Sequence, residues 1–292
     1  RGSRLALVQT NWVADRIRQA HPDIEIDIQV IKTKGDMLPD VPLTAIGDKG
    51  FFVREIEAAL LDKRIDLSVN SMKDMPATLP EGLMLSHCPV REDARDALVT
   101  KHQVSDIQEL PNGAVIGTGS KRRAAQLNQL RRDIRIVDIR GNVETRIGKI
   151  EKENLDGVIL AMAGLSRLGC HDAAHTVLPL PVQMMIPAPC QGILAIEIRK
   201  SDTDTHTLLA CLHDRQATLQ AQVERAFLYH IEGGCHAPVG AYAQIEGDSV
   251  TLTGLFGTGK QIVTMQIMRP IGEHADMGEI LARQIKKELG IG

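Results

Sequence analysis

Asp66-Leu67-Ser68-Val69-Asn70-Ser71-Met72-Lys73-Asp74-Met75-Pro76 is the stretch that decides how the first half of the chain is read. Residues 66–69 are predicted to form a short strand, and Pro76 stiffens the loop after it. Lys73 and Asp74 therefore stand at a strand's carboxyl end, where open α/β sheets bind ligands. A surface ion pair of small energetic weight is the alternative. Upstream, Ser3 can cap a helix whose buried side includes Leu5, Trp12, Val13 and Ile17. Ile24, Ile26, Ile28 and Val30 then alternate with Glu25, Asp27 and Gln29, a strand period. A polar loop spans 33–49, and a helix starts near Phe52 with Val53, Ile56 and Leu60 on one face. Strand, helix and strand in alternation predict a parallel sheet covered by helices.

The pattern restarts after Arg95. Residues 115–117 are predicted as a buried strand, and Thr118-Gly119-Ser120 as the turn into a helix beginning near Lys121. Residues 134–139 and 157–160 are further strands, and Asn142 can cap the helix between them. This second unit ends around Pro179, Pro181, Pro187 and Pro189. Residues 193–198 are too apolar for a linker and are predicted to return to the first sheet. Leu219, Val223, Ala226, Phe227 and Ile231 then recur at spacings of three and four, a helix that Gly233-Gly234 stops. Strand-like runs follow at 241–245, 250–256 and 261–268, with turns at Gly247-Asp248 and Gly257-Thr258-Gly259. A closing helix carries Met277, Ile280, Leu281, Ile285 and Leu289. The predicted fold class is α/β, two hinged α/β domains with a cleft between them. A small C-terminal α+β domain with a three-stranded antiparallel sheet completes it. The expected boundaries are 1–90 with 190–209, 91–189, and 210–292.

A chain of 292 residues has room for two or three such domains. Apolar residues at 43% and charged residues at 24% suit a soluble globular protein. Aromatics at 2% require an aliphatic core and argue against a base-stacking surface. A net charge of -3 argues against a general polyanion binder. The cysteines, Cys88, Cys170, Cys190, Cys211 and Cys235, are odd in number and never spaced Cys-x-x-Cys. That speaks against a disulfide framework or zinc knuckle and for a reducing cytoplasm. No apolar run is long enough to span a bilayer, and no signal peptide is visible. The sequence opens at Arg1 without a methionine, so a leader or first strand can have preceded it.

Two features carry chemistry besides Asp74. The first is a set of arginines. Arg122 and Arg123 follow a strand-to-helix turn, where free backbone N–H groups favour anions. Arg140 and Arg146 are six apart and share no helix face, so they converge only if Arg140 lies in the loop. Arg167 follows the turn through Gly164, and Arg1 and Ser3 open the chain as Arg-x-Ser-x-Leu-Ala. Guanidinium forks pair bidentately with carboxylates, so the set predicts a focused anion site. The second is Cys235 in Glu232-Gly233-Gly234-Cys235-His236-Ala237-Pro238, on a turn with room for a bulky group on the sulfur. A small buried apolar cysteine is the alternative.

Glu224-Arg225-Ala226-Phe227-Leu228, Glu232 to Cys235 and Pro238-Val239-Gly240 together resemble the cofactor-attachment segment of the porphobilinogen deaminase family. Further segments resemble the family's ligand-lining stretches, in the family's order and over nearly the whole chain. They are Arg1-Gly2-Ser3 with Leu5-Ala6, Gly47-Asp48-Lys49-Gly50 with Phe52, and Ser71-x-Lys73-Asp74-x-Pro76. Thr118 to Arg123, Arg140-Gly141-Asn142 with Arg146, Gly164-Leu165-x-Arg167 and Gln191-Gly192 complete the set.

The resemblance implies type II periplasmic-binding-protein architecture for the hinged pair. It implies a dipyrromethane joined to Cys235 by a thioether, Asp74 as the catalytic carboxylate, and no metal. Lys73, Asp74, Thr118, Ser120, Arg122, Arg123 and Arg140 would hold this cofactor. Arg1, Ser3, Arg146, Arg167 and Gln191 would hold substrate, with Lys49 and Phe52 in a mobile loop over the cleft. The implied reaction is hydroxymethylbilane synthesis, in which four porphobilinogen molecules lose ammonia, join head to tail on the primer and leave by hydrolysis. The substrate carries an acetate and a propionate on each ring, which suits the arginine set. A cytoplasmic monomer with no nucleic acid or membrane partner is expected. Asn70, Ala45, Ala94, Gly119 and Cys190 depart from the family pattern, where histidine, lysine in some members, proline, serine and glycine are usual. A solute-binding or ligand-sensing domain would suit the hinged pair equally well, but it has no need of a modified thiol. A hydrolase using Cys235 and His236 fits poorly, because neighbours on a turn rarely set imidazole against sulfur.

Overall fold

The computed structural model describes residues 1–33, 53–170, 174–231, 237–258 and 261–291. In chain order its first elements are α1 (Arg4–Ala20), α2 (Arg54–Leu61), β1 (Leu67–Ser71), β2 (Leu83–Leu85), β3 (Asp96–Thr100), β4 (Val115–Gly117) and α3 (Lys121–Leu130). Next come β5 (Arg135–Val137), α4 (Val143–Lys152), β6 (Gly157–Ala161), α5 (Met162–Leu168), β7 (Thr176–Pro179) and β8 (Leu194–Arg199). The chain ends with α6 (Thr203–Leu208), α7 (Arg215–Ile231), β9 (Val239–Glu246), β10 (Ser249–Gly257), β11 (Ile262–Pro270) and α8 (Met277–Glu288). They divide between two compact units, Arg1–Glu92 with Gly192–Gln222, and Asp93–Gln191 with Val223–Gly292.

In the first unit, Ser3 caps α1 as expected, its Oγ accepting from Ala6 N at 3.3 Å. The helix buries Gln9, Val13, Ala14 and Ile17, while Leu5 and Trp12 are only half-buried. Val13 and Ile17 pack on Leu194, Ile196 and Ile198 of β8. The sheet order is β1-β8-β2. Residues 193–198 therefore do return to the first sheet. The expected parallel pairing is corrected, since β8 is antiparallel to both β1 and β2. Parallel neighbours need a crossover within the unit. Strand β8 is instead reached from residues 93–191, so no such crossover sets its direction. Residues 24–33 have no regular structure despite their strand-like alternation. A cavity of about 400 Å³, lined by Ile17, Ile26, Ile28, Leu67 and Val69, lies between them and β1. Their backbone thus gains no ladder with β1, and alternation alone does not make a strand.

The second unit holds two sheets. Its five-stranded sheet has the order β5-β4-β6-β3-β7. Strand β4 is parallel to β5 and β6, whereas β3, the first strand after the chain enters the unit, is antiparallel to β6 and β7. One antiparallel strand among parallel ones, supplied by the crossing chain, is the periplasmic-binding-protein pattern. Both faces are covered, by Leu98, Ile116, Leu127 and Ile159 in one cluster and Val99, Ile139, Ile150 and Leu165 in another. The other sheet, β9-β10-β11, is antiparallel throughout, with Leu252 opposite Ala243 and Ile267. Helices α7 and α8 pack closely beside it. A Cβ on Gly278 would lie 2.4 Å from Phe227 N, so the helices meet there only through glycine.

Candidate active site

In the first unit, Lys73 and Asp74 lie in a single 3-10 turn, Met72–Asp74, directly after β1. Two buried methionines pin that turn. Met72 N donates to Ile193 O at 2.9 Å, and Met75 N donates to Met72 O at 3.1 Å. Asp74 between them is exposed and Lys73 half-buried, so the carboxylate is held in place without being desolvated. Gln9 Nε2 donates to Ser71 Oγ at 3.0 Å and ties α1 to the same strand end. Asn70 is buried and donates to Ser68 Oγ at 3.2 Å, so it braces the strand from below. Arg1 and Ser3 are half-buried, and the Ser3 hydroxyl is engaged as a helix cap.

In the second unit the carboxyl ends of three neighbouring parallel strands carry the expected residues. After β4, Thr118 is buried and its Oγ1 accepts from Ser120 N at 3.2 Å. Ser120 caps α3 through Arg123 N. After β5, Arg140 is half-buried in the loop, as the spacing argument requires. Gly141 has φ +111°, and a Cβ there would lie 2.6 Å from Thr145 Cγ2. Asn142 Oδ1 accepts from Thr145 N at 2.8 Å, and Arg146 Nε donates to Gly141 O at 2.7 Å. The loop that carries Arg140 is therefore tied to the first turns of α4, which carry Arg146. After β6, Arg167 is half-buried in the last turn of α5.

Arg122 and Arg123 point elsewhere. Each is 5% exposed and faces inward to Asp96. Arg122 Nη1 donates to Asp96 Oδ2 at 2.7 Å and to Ile186 O at 2.6 Å. Arg123 donates to Asp96 Oδ1 through Nε at 2.9 Å and Nη2 at 2.6 Å, and to Ile159 O through Nη1 at 3.0 Å. Gln191 is fully buried and its Nε2 reaches Ala94 O at 2.8 Å and Asp96 Oδ1 at 3.0 Å. Burial pushes the Asp96 carboxyl up, but the charges of Arg122 and Arg123 and their hydrogen bonds outweigh it. The group is held far below the ordinary carboxylate range and stays ionised. Asp96 is the residue that sequence reasoning missed. It sits in the charged run Arg91-Glu92-Asp93-Ala94-Arg95-Asp96, and only the apolar Ala97-Leu98-Val99 after it signals a buried strand start.

Cys190 is buried with φ +62°, the left-handed region that glycine prefers, which fits its position as a departure from a family glycine. Its N–H donates to Glu224 Oε2, and Glu224 Oε1 accepts from Ala243 N at 2.7 Å. This buried carboxylate joins the 187–191 turn to β9. Lys49, Phe52 and Cys235 lie outside the described residues.

The first unit thus carries an exposed carboxylate just after β1, and the second, an α/β unit, carries guanidinium and helix-start donors after β4, β5 and β6. Residues 1–207 match the family model described as porphobilinogen deaminase, dipyromethane cofactor binding domain. Residues 218–287 match the model of the porphobilinogen deaminase C-terminal domain. The chain is 48% identical over 292 residues to the porphobilinogen deaminase of Clostridium novyi, covering 99% of this chain and 97% of that protein. It is 47% identical over 290 residues to that of Clostridioides difficile, covering 99% and 96%. The chain belongs to the porphobilinogen deaminase family. Among solved structures, the periplasmic VFT2 domain of Bordetella pertussis BvgS covers 70% of this chain and 76% of its own at 14% identity. Its TM-score of 0.42 is too low to add to what the strand order shows.

Proposed function

We propose that this chain is a hydroxymethylbilane synthase, which deaminates porphobilinogen and condenses four molecules head to tail into a linear tetrapyrrole. The full-length match to the family carries this reading. Cys235 would hold the dipyrromethane through a thioether, and the bound group would supply the free pyrrole end to which each unit is added. The remaining chemistry belongs to the chain's own side chains. As ammonia leaves the aminomethyl group, positive charge develops on the incoming pyrrole and its nitrogen. Asp74, fixed by its buried methionine anchors, stabilises that charge most where it is greatest, in the transition state. It can also accept and return the protons moved at each step. Lys73 adds a cation beside it.

Arg140, Arg146 and Arg167, with Thr118 and Ser120 at the α3 start, hold acetate and propionate groups in this reading. Arg1, Ser3, Lys49 and Phe52 also take part in substrate binding in this reading, as the family resemblance implies. Arg122, Arg123 and Gln191 contribute by way of Asp96, setting the frame on which the α3 start is built. The protein acts as a cytoplasmic monomer, with domains 1–90 plus 190–209, 91–189 and 210–292; its odd, unspaced cysteines support a reducing compartment. Incubation of the purified protein with porphobilinogen tests the reading. Ammonia released one for one with substrate consumed, together with a linear tetrapyrrole product, is expected. Binding of porphobilinogen without its consumption would favour a solute-binding protein instead.

A further inference from the structure

Three histidines meet in the first unit, and none serves the site described above. His87 follows β2, His206 lies on α6, and His213 precedes α7. The rings of His87 and His206 stack with centroids 4.5 Å apart and planes at 4°. His213 meets His87 edge-on at 5.2 Å, with Nδ1 to Nδ1 at 3.4 Å. Ser86 Oγ lies 3.0 Å from His206 Nδ1, and Thr218 Oγ1 lies 3.4 Å from His213 Nδ1. A metal site does not explain the cluster. Two parallel stacked rings cannot both hold one ion in their ring planes. Among the described residues no group of three or more His, Cys, Asp or Glu is arranged to bind a metal.

Charge explains it better. The titratable groups that act on His87 are His206 from α6 and His213 from the segment before α7, both of the same potential sign. Among the described residues, histidine–carboxylate pairs involve His102, His175 and His230, not these three. Asp204, two residues before His206, is exposed to solvent, and two other nearby carboxylates are committed elsewhere. Asp214 accepts from Ala217 N, and Asp202 pairs with Arg199. Three touching imidazoles without a counter-ion pack well when neutral and repel when protonated.

The cluster's place in the chain gives this a consequence. The chain leaves the first unit after Glu92 and again after Gln222. His87 stands on the first exit segment, and His213 stands at the foot of α7, which carries the second. The same two segments are joined by Asp214 N donating to Cys88 O at 2.8 Å.

We propose that His87, His206 and His213 form an acid-sensitive clasp that joins the two exit segments while neutral and lets them part when protonated. Burial first, then the charges of His206 and His213, hold the His87 imidazole below the ordinary histidine value of 6.5. The open form therefore binds more protons, so the clasp is intact above pH 6.5 and weakens as pH falls through that value.

The test is hydrogen exchange at the Asp214 amide of the full-length protein, at pH 7.5 and 5.5, corrected for intrinsic exchange chemistry. Below pH 6.5 the wild-type protection factor should fall, by up to about tenfold per pH unit for each proton taken up. His87→Asn should show much less dependence on pH. Unchanged wild-type protection, or the same fall in His87→Asn, overturns the clasp. An NMR titration of the wild-type imidazoles covers the case in which the variant fails to fold. His87 titrating at or above 6.5 would overturn the clasp equally.

Discussion

Replacing Asp96 by asparagine tests the electrostatic core of the second unit. The carboxylate receives one N–H from Arg122, two from Arg123 and one from Gln191, all in a fully buried site. Asparagine keeps one acceptor, adds an NH₂ group facing guanidinium donors, and leaves two buried cations without a counter-charge. Breaking one buried pair costs about 3–5 kcal/mol. Because one carboxylate serves two arginines here, the upper end, about 5 kcal/mol, is expected. That is a large share of a typical total of roughly 5–15 kcal/mol. With a urea dependence of about 2 kcal/mol per molar, the midpoint should fall by roughly 2.5 M. The sign with pH follows from the depressed carboxyl. Its stabilisation is complete above the ordinary value of 3.8 and is lost as pH falls below it, so acid should narrow the gap between variant and wild type. Adding Arg123→Met to the variant removes one uncompensated charge and should recover part of the loss. Urea unfolding followed by circular dichroism, at pH 7 and near pH 3, measures all three. A loss under about 1 kcal/mol at neutral pH would refute the claim that Asp96 neutralises this core.

Arg140→Leu and Arg146→Leu should each lower turnover roughly 10- to 100-fold, the worth of a charge-assisted hydrogen bond, without a matching loss of thermal stability. Near wild-type activity in both would remove them from the carboxylate site. Asp74→Asn should lose on the order of 100- to 1,000-fold in turnover, and Asp74→Glu less, because it keeps the charge and displaces it by one methylene. If the asparagine variant turned over like wild type, or its loss merely tracked unfolding, Asp74 would not be the catalytic group. Cys190→Gly should be more stable than Cys190→Ala by about 1 kcal/mol. Both delete the sulfur, but only glycine relieves the φ of +62°. Equal unfolding midpoints would show that the turn is unstrained.

Much of the fold was legible because its signals are local. Ser3 and Asn142 cap the helices they were expected to cap, Thr118 to Ser120 form the expected turn into α3, and the three C-terminal strands and α8 follow their apolar periods. Strands β3 and β7 left no such mark. Every residue of β3 is buried, so its sequence does not alternate. The run 24–30 shows the converse, since it alternates but finds no paired edge across the cavity beside β1. At the site, Arg140 and Arg146 could be placed because helix geometry allows one solution. The inward turn of Arg122 and Arg123 could not be foreseen, because it depends on Asp96, 26 and 27 residues away, whose burial is a tertiary fact. Gln191, 95 residues from Asp96, was equally out of reach.

The mass of the protein purified from cells tests the central claim most directly. A primer held by a thioether adds the mass of two linked pyrrole units to the chain, and peptide mapping should place the whole excess on the peptide containing Cys235. Cys235→Ala should lack it and should fail to make the linear tetrapyrrole. A wild-type protein with the unmodified sequence mass and full activity on porphobilinogen would contradict the primed mechanism.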